Sequence, residues 1–173
     1  ERVLKALGER CRFFGLTLHP EKTRLVPFRR PLRPPGGGGP GRKDRPGTFD
    51  FLGFTHCWAR SRRGRWYVRR KTARDRMRRA IKAVNRWCAT HRHWRVAVQH
   101  RYLCKVVVGH CRYYGITGNS IAIGRFRQEV QRAWRVWLNW RCQRAKMTWA
   151  RFHTLSKRYP LPHAIAYHSV CRP

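Results

Sequence analysis

Apolar positions recur at helical spacing near the start of the chain. Val3, Leu4, Leu7, Cys11 and Phe14 share one face, and Gly15 follows where a left-handed C-terminal cap sits. This predicts an amphipathic helix over 1–14. Leu16 to His19 then alternates apolar and polar, Pro20 to Lys22 carries turn chemistry, and Thr23 to Phe28 forms a second short extended run. Residues 29–47 hold five prolines, six cations and the glycines of the Gly36 to Gly41 segment, a mixture that no regular element tolerates. A flexible loop is expected there. Phe49 to Phe54 resumes as a strand of bulky residues, and Arg62-Arg63-Gly64 turns the chain into Arg65 to Arg69, so a hairpin is expected.

Beyond Arg70 the period lengthens from two to about 3.6. Thr72 and Asp75 have the spacing of a capping box, and Met77, Ile81, Val84 and Cys88 make one stripe of a helix over 73–90. Tyr102, Val106 and Tyr113 lie along a helix over 98–114 that Gly115 ends. Asn119 or Ser120 caps a third helix, striped by Ile123, Phe126, Val130, Trp134 and Trp137 and basic on its other faces. Thr148 opens a short fourth helix that packs Phe152 and Leu155 and stops before Pro160, leaving an irregular tail. The expected fold class is α+β: a short antiparallel hairpin region followed by a bundle of three to four helices. The divisions fall at 1–70, 71–159 and 160–173.

Charge changes this picture more than hydropathy does. Thirty-three arginines and eight lysines face seven acidic residues, for a net charge of +34. Intramolecular ion pairing cannot absorb that excess, so solvent, small ions or a polyanion must. Arginine dominates the cations, and its planar fork grips phosphate bidentately and stacks on bases. The eight Trp, six Tyr and eight Phe exclude a merely disordered basic tail. The longest stretch free of Lys, Arg, Asp and Glu, Tyr159 to Cys171, is too short for a membrane-spanning helix, and the first helix is too charged for a signal peptide.

Catalytic chemistry finds little to stand on. The acids at 1, 9, 21, 44, 50, 75 and 129 form no sequence pair for acid-base or two-metal work, and no phosphate-cradling or nucleophile-elbow motif occurs. Cys88, His91, His100 and Cys104 are the best zinc candidates by ligand type, but Cys88 and Cys104 equally fit buried helix faces as reduced thiols. What is abundant is arginine interleaved with aromatic rings, as in Arg65-Trp66-Tyr67, Arg86-Trp87, His93-Trp94-Arg95 and Arg112-Tyr113-Tyr114. Cations hold phosphates while exposed rings stack unpaired bases, although helical periodicity assigns Trp134, Trp137 and Tyr113 to the core.

Leu16-Thr17-Leu18-His19-Pro20-Glu21-Lys22-Thr23, followed after a loop by Phe49-Asp50-Phe51-Leu52-Gly53-Phe54, resembles the last two sequence blocks of group II intron reverse transcriptases. Arg69-Arg70-Lys71-Thr72, His93-Trp94, Gly109 to Gly115, Asn119-Ser120 and Phe126-Arg127 are similar to the thumb and maturase domain of bacterial members. The resemblance implies the end of a palm, with Lys22, Thr23, Phe51, Leu52 and Gly53 in its primer-side motif, and a helical thumb that grips intron RNA and template-primer. It also implies a cytoplasmic, bacterial protein without a membrane partner; a homodimer is compatible with it. The family's Tyr-x-Asp-Asp signature is absent from this sequence, so the chain alone is not expected to polymerise, and Mg2+ would belong to a complete polymerase rather than to these residues.

The resulting expectation is a module that binds structured intron RNA and assists its splicing, the chemistry residing in the RNA. Arg69, Arg70, Lys71, Arg74 and Arg78, with Arg112, Tyr113 and Tyr114, are the expected RNA contacts. Two alternatives stay open: the C-terminal part of a split or truncated polymerase, and an inactive remnant that binds RNA without specificity.

Overall fold

The computed structural model describes residues 2–20, 23, 25–31, 47–141 and 146–168. It divides into two compact units, residues 1–47 and 48–173, each considered by itself below. In the first unit α1 spans Arg2–Phe13 and buries none of its residues. Gly15, at φ 67°, closes it as expected: the Leu16 amide donates to the Cys11 carbonyl at 2.8 Å and the Gly15 amide to that of Arg12 at 2.9 Å. The two short strands expected at 16–19 and 23–28 do not form among the described residues, where no ladder partner stabilises so short an alternation. The expected loop at 29–47 lies largely outside the described residues.

The second unit is α+β, as expected. Its sheet runs in the order β1 (Phe49–Phe51), β2 (Phe54–Arg60) and β3 (Trp66–Thr72), antiparallel throughout. The run read as one strand from Phe49 to Phe54 is in fact two, broken at Leu52 and Gly53. Their φ values of 48° and 79° are those of the reversed turn that suits the twist of a two-residue hairpin. The hairpin expected across Arg62 to Gly64 does form, and pairs Arg60 with Trp66 through to Phe54 with Thr72.

Four helices follow: α2 (Arg74–Thr90), α3 (Val96–Tyr114), α4 (Ser120–Asn139) and α5 (Trp149–Arg158). α4 is the spine of the core. Ile123, Phe126, Val130, Trp134 and Leu138 are all buried along it, against Val84 and Cys88 of α2, Leu103, Val107 and Cys111 of α3, and Phe152 of α5. Trp137, expected in this stripe, is only partly buried and donates from its indole to the Asn85 side chain, while Leu138 takes the core position. Thr148 caps α5 with its hydroxyl on the Arg151 amide, as expected.

Three expectations about helix ends and faces are overturned. Thr72 makes no capping box with Asp75: Ala73 is the cap residue, and the buried Thr72 hydroxyl is held by Asn119 instead. The inner face of α3 is not the Tyr102, Val106, Tyr113 line; Gln99, Leu103, Val107, His110 and Cys111 are buried, whereas Tyr102 and Tyr113 are exposed. Gly115 ends α3 without a left-handed turn, at φ −78°. Glycine is required there by close approach, since a Cβ would lie 2.1 Å from the Cys111 carbonyl oxygen and 2.8 Å from that of Ile165. The tail is irregular but packed: Leu161 is buried, and residue 168 bridges Ile116.

Gln99 organises the α2–α3 corner. Its side-chain amide nitrogen lies within hydrogen-bond reach of the carbonyls of His91, Arg92 and Trp94, and its oxygen accepts from the buried Trp134 indole at 2.9 Å. Gln99→Leu would leave these groups unpaired in the interior, so urea denaturation should show a loss of about 2–4 kcal/mol. A loss below about 1 kcal/mol would mean that the corner is held by its apolar packing alone.

Candidate nucleic-acid interface

Most of the residues expected to contact RNA lie where the β1–β2 turn, the end of β3, the start of α2 and the end of α3 converge. Two short loops, after β1 and after α3, bring them there. The Gly53 carbonyl accepts from the Ala73 amide at 2.9 Å, which fixes the turn over the first residue before α2. A Cβ on Gly53 would come to 3.0 Å from the Tyr114 hydroxyl, so the left-handed turn disfavours a side chain there and the tyrosine would have to give way to one. The Tyr113 hydroxyl donates to the Leu52 carbonyl at 2.9 Å, and Phe54 stacks on the Tyr113 ring.

Asn119 ties this junction together. Its oxygen accepts from the Thr72 amide at 3.1 Å, and its amide nitrogen donates to the Thr72 hydroxyl and the Tyr114 carbonyl. One buried side chain therefore joins β3, α3 and the start of α4. It lies where a capping residue was expected, yet makes no side-chain cap bond to its own helix.

The expected RNA contacts differ in how far the fold leaves them free. Lys71, Arg74, Arg78 and Arg112 have exposed side chains, and none forms an ion pair among the described residues. Arg70, partly exposed, stands opposite His56 in the ladder. Arg69 is committed to the fold, its guanidinium donating to the Gly118 carbonyl at 3.1 Å. Tyr113 is more than half exposed, against the core placement its spacing suggested, but its hydroxyl is already engaged. Tyr114 is partly buried, and that burial, with the neighbouring Tyr113 phenol, raises its pKa above the ordinary value.

Of the primer-side set, Phe51 and Leu52 are exposed on the turn, Gly53 faces Tyr114, Thr23 lies in the first unit, and Lys22 is outside the described residues. The candidate zinc set is not assembled: among the described residues no group of three or more His, Cys, Asp or Glu side chains could hold a metal ion. Burial pushes the Cys88 thiol up to about 12, His91 is engaged with the Trp87 carbonyl, and the Cys104 sulfur lies 3.2 Å from His100 Nε2. Among the described acids, Asp75 is held below the usual carboxylate range, chiefly by its hydrogen bond from Arg79. Asp50 accepts from Thr55. Neither is placed beside another carboxylate for acid-base work.

Sequence reasoning missed an aromatic cluster at the α2–α3 corner. Tyr102 and His91 both stack on Trp87, with ring centroids 3.9 and 4.5 Å away, and Trp94 stands edge-on to Trp87 and His91. Tyr102 and Trp94 are 40% and 50% exposed. The signal was present in the Arg86-Trp87 and His93-Trp94-Arg95 pairs, but only the corner geometry gathers them. Comparison with known protein families, with curated proteins and with solved structures returns no match. No helix among the described residues is long and apolar enough to cross a membrane.

His110 sits between Tyr114 and Phe126, stacked on the latter at 3.7 Å, and burial lowers its pKa to about 4. The unfolded chain, with an ordinary imidazole near 6.5, then binds the proton more tightly than the folded one. This group's contribution is complete above pH 6.5 and is lost as the pH falls toward 4, with a slope of up to about 1.4 kcal/mol per pH unit for one proton. His110→Phe should flatten that part of the stability profile in denaturation series at pH 7, 5.5 and 4.5; an unchanged difference between variant and parent across the series would refute it.

Proposed function

We propose that this chain is an RNA-binding module of the maturase and thumb type, which grips structured group II intron RNA and favours its splicing-competent fold. The observation that carries the reading is the unbalanced cationic surface at the junction of β3, α2 and α3. Ion pairs among the described residues involve only Asp75 and Glu129, with Arg76, Arg79 and Arg132 as partners, so Lys71, Arg74, Arg78 and Arg112 remain available to phosphates. The resemblance of the motifs at 16–23, 49–54 and 69–72 to intron-encoded reverse transcriptases supplies the RNA class. Within a complete polymerase the same surface would hold template-primer.

Two experiments test this. The triple variant Lys71→Ala, Arg74→Ala, Arg78→Ala should bind RNA more weakly, and the slope of log Kd against log salt should shrink by about 0.7–0.9 for each phosphate that is no longer neutralised. Parental affinity and slope across a salt series would overturn the assigned surface. The full chain should also bind the intron flanking its gene more tightly than an unrelated structured RNA of equal length at moderate salt, and should promote splicing of that transcript at Mg2+ concentrations too low for the RNA alone. Equal affinity for both RNAs with no effect on splicing would leave only a non-specific basic binder.

A further inference from the structure

α4 packs against both α2 and α3, and those two helices flank it with a trough between them. The trough has a volume of about 300 Å3, a floor that includes Phe126 of α4, and sides of small residues, Ala80 and Ala83 on α2 and Gly109 on α3. Tyr102 lines it as well, stacked on Trp87 while 40% of its own surface stays exposed. His110 also lines it, and its Nε2 has no hydrogen-bond partner among the described residues although the residue is only 8% exposed.

Cations run beside the trough on both helices. Arg76, Arg79 and Arg86 follow one another at helical spacing on the exposed side of α2, and Arg101, Lys105 and Arg112 do so on α3. Lys105 itself lines the trough. Against these six cations the two helices carry one carboxylate, Asp75, which pairs with Arg76 and Arg79. An apolar trough with a stacking ring, small side walls and a cationic rail along each edge matches a strand whose backbone is charged and whose bases are flat and apolar-faced.

From this we infer that the α2–α3 trough is a binding site for an unpaired stretch of polynucleotide, its phosphates on the two rails and a base seated against Tyr102. The inference rests on the RNA-binding reading and deepens it. It assigns single-stranded segments to the trough and leaves structured RNA to the junction surface of Lys71, Arg74 and Arg78. An apolar peptide suits the site less well, because four of the six cations beside it, Arg86, Arg101, Lys105 and Arg112, would face no counter-charge.

The test is fluorescence anisotropy of the full chain with a labelled twelve-nucleotide oligo-uridine and, separately, a fully paired RNA hairpin, each at several salt concentrations. Gly109→Leu fills the trough from a position where an added Cβ meets nothing within 4 Å, and it replaces a helical glycine, so the fold should hold or gain stability. Tyr102→Leu keeps apolar bulk and removes the stacking face. Each variant should bind oligo-uridine at least about fivefold more weakly, the effect of losing one stacked base, with hairpin affinity unchanged within about twofold. Oligo-deoxythymidine should follow oligo-uridine if stacking and phosphate contacts suffice, whereas an effect confined to oligo-uridine narrows the site to RNA and still supports it.

Parental oligo-uridine affinity in both variants, with the hairpin still bound, overturns this inference alone. Equal weakening on both RNAs overturns it too, as does selective blocking by Gly109→Leu of an acidic amphipathic peptide in place of the oligonucleotide. If the parent chain binds neither RNA, the broader RNA-binding reading fails with it.

Discussion

Scarcity of carboxylates is the constraint on which the rest of this structure depends. A chain with forty-one basic and seven acidic residues cannot knit its surface with ion pairs, so it directs arginine donors to neutral acceptors instead. Arg69 donates to the carbonyl of Gly118, Arg127 to those of Leu161 and Pro162, Arg135 to that of Met147 and Arg141 to that of His93. The bonds of Arg69, Arg127 and Arg135 pin a loop or tail to a strand or helix, that of Arg141 joins two turns, and each leaves the guanidinium charge unneutralised. The fold and the electrostatic field thus draw on the same residue type without competing for acids.

The interior follows the same logic with neutral groups. Gln99 and Asn119, both buried, each gather groups from three segments, and a hydrogen bond from Trp134 links the first of them to the core stripe of α4. Neither charge nor metal is needed to hold these corners. The cost of burying an amide is met by satisfying both of its ends.

Much of the helical half was legible because α2, α4 and α5 each present one apolar stripe and change character at their ends. α3 was harder to read. It is apolar on several sides, with Val98, Leu103, Val106, Val107 and Val108, and its buried face includes Gln99 and His110, which a search for hydrophobic periodicity passes over. The turn at Leu52 and Gly53 stayed hidden because bulky residues flank it and no Asn-Gly or Asp-Gly marks it. The cationic character of the candidate interface was evident from composition, and most of the expected RNA-binding residues do converge in space. Which arginines are consumed internally was not legible: Arg69 and Gly118 are forty-nine residues apart, and only the fold brings them together.

The carbonyl-bound arginines carry one more consequence. A carbonyl oxygen does not titrate in the range where carboxylates take up protons, and a guanidinium stays charged throughout. Staples of this kind hold the same strength in vinegar as in neutral buffer, so mild acid finds few latches to undo and its leverage passes to the buried ring of His110.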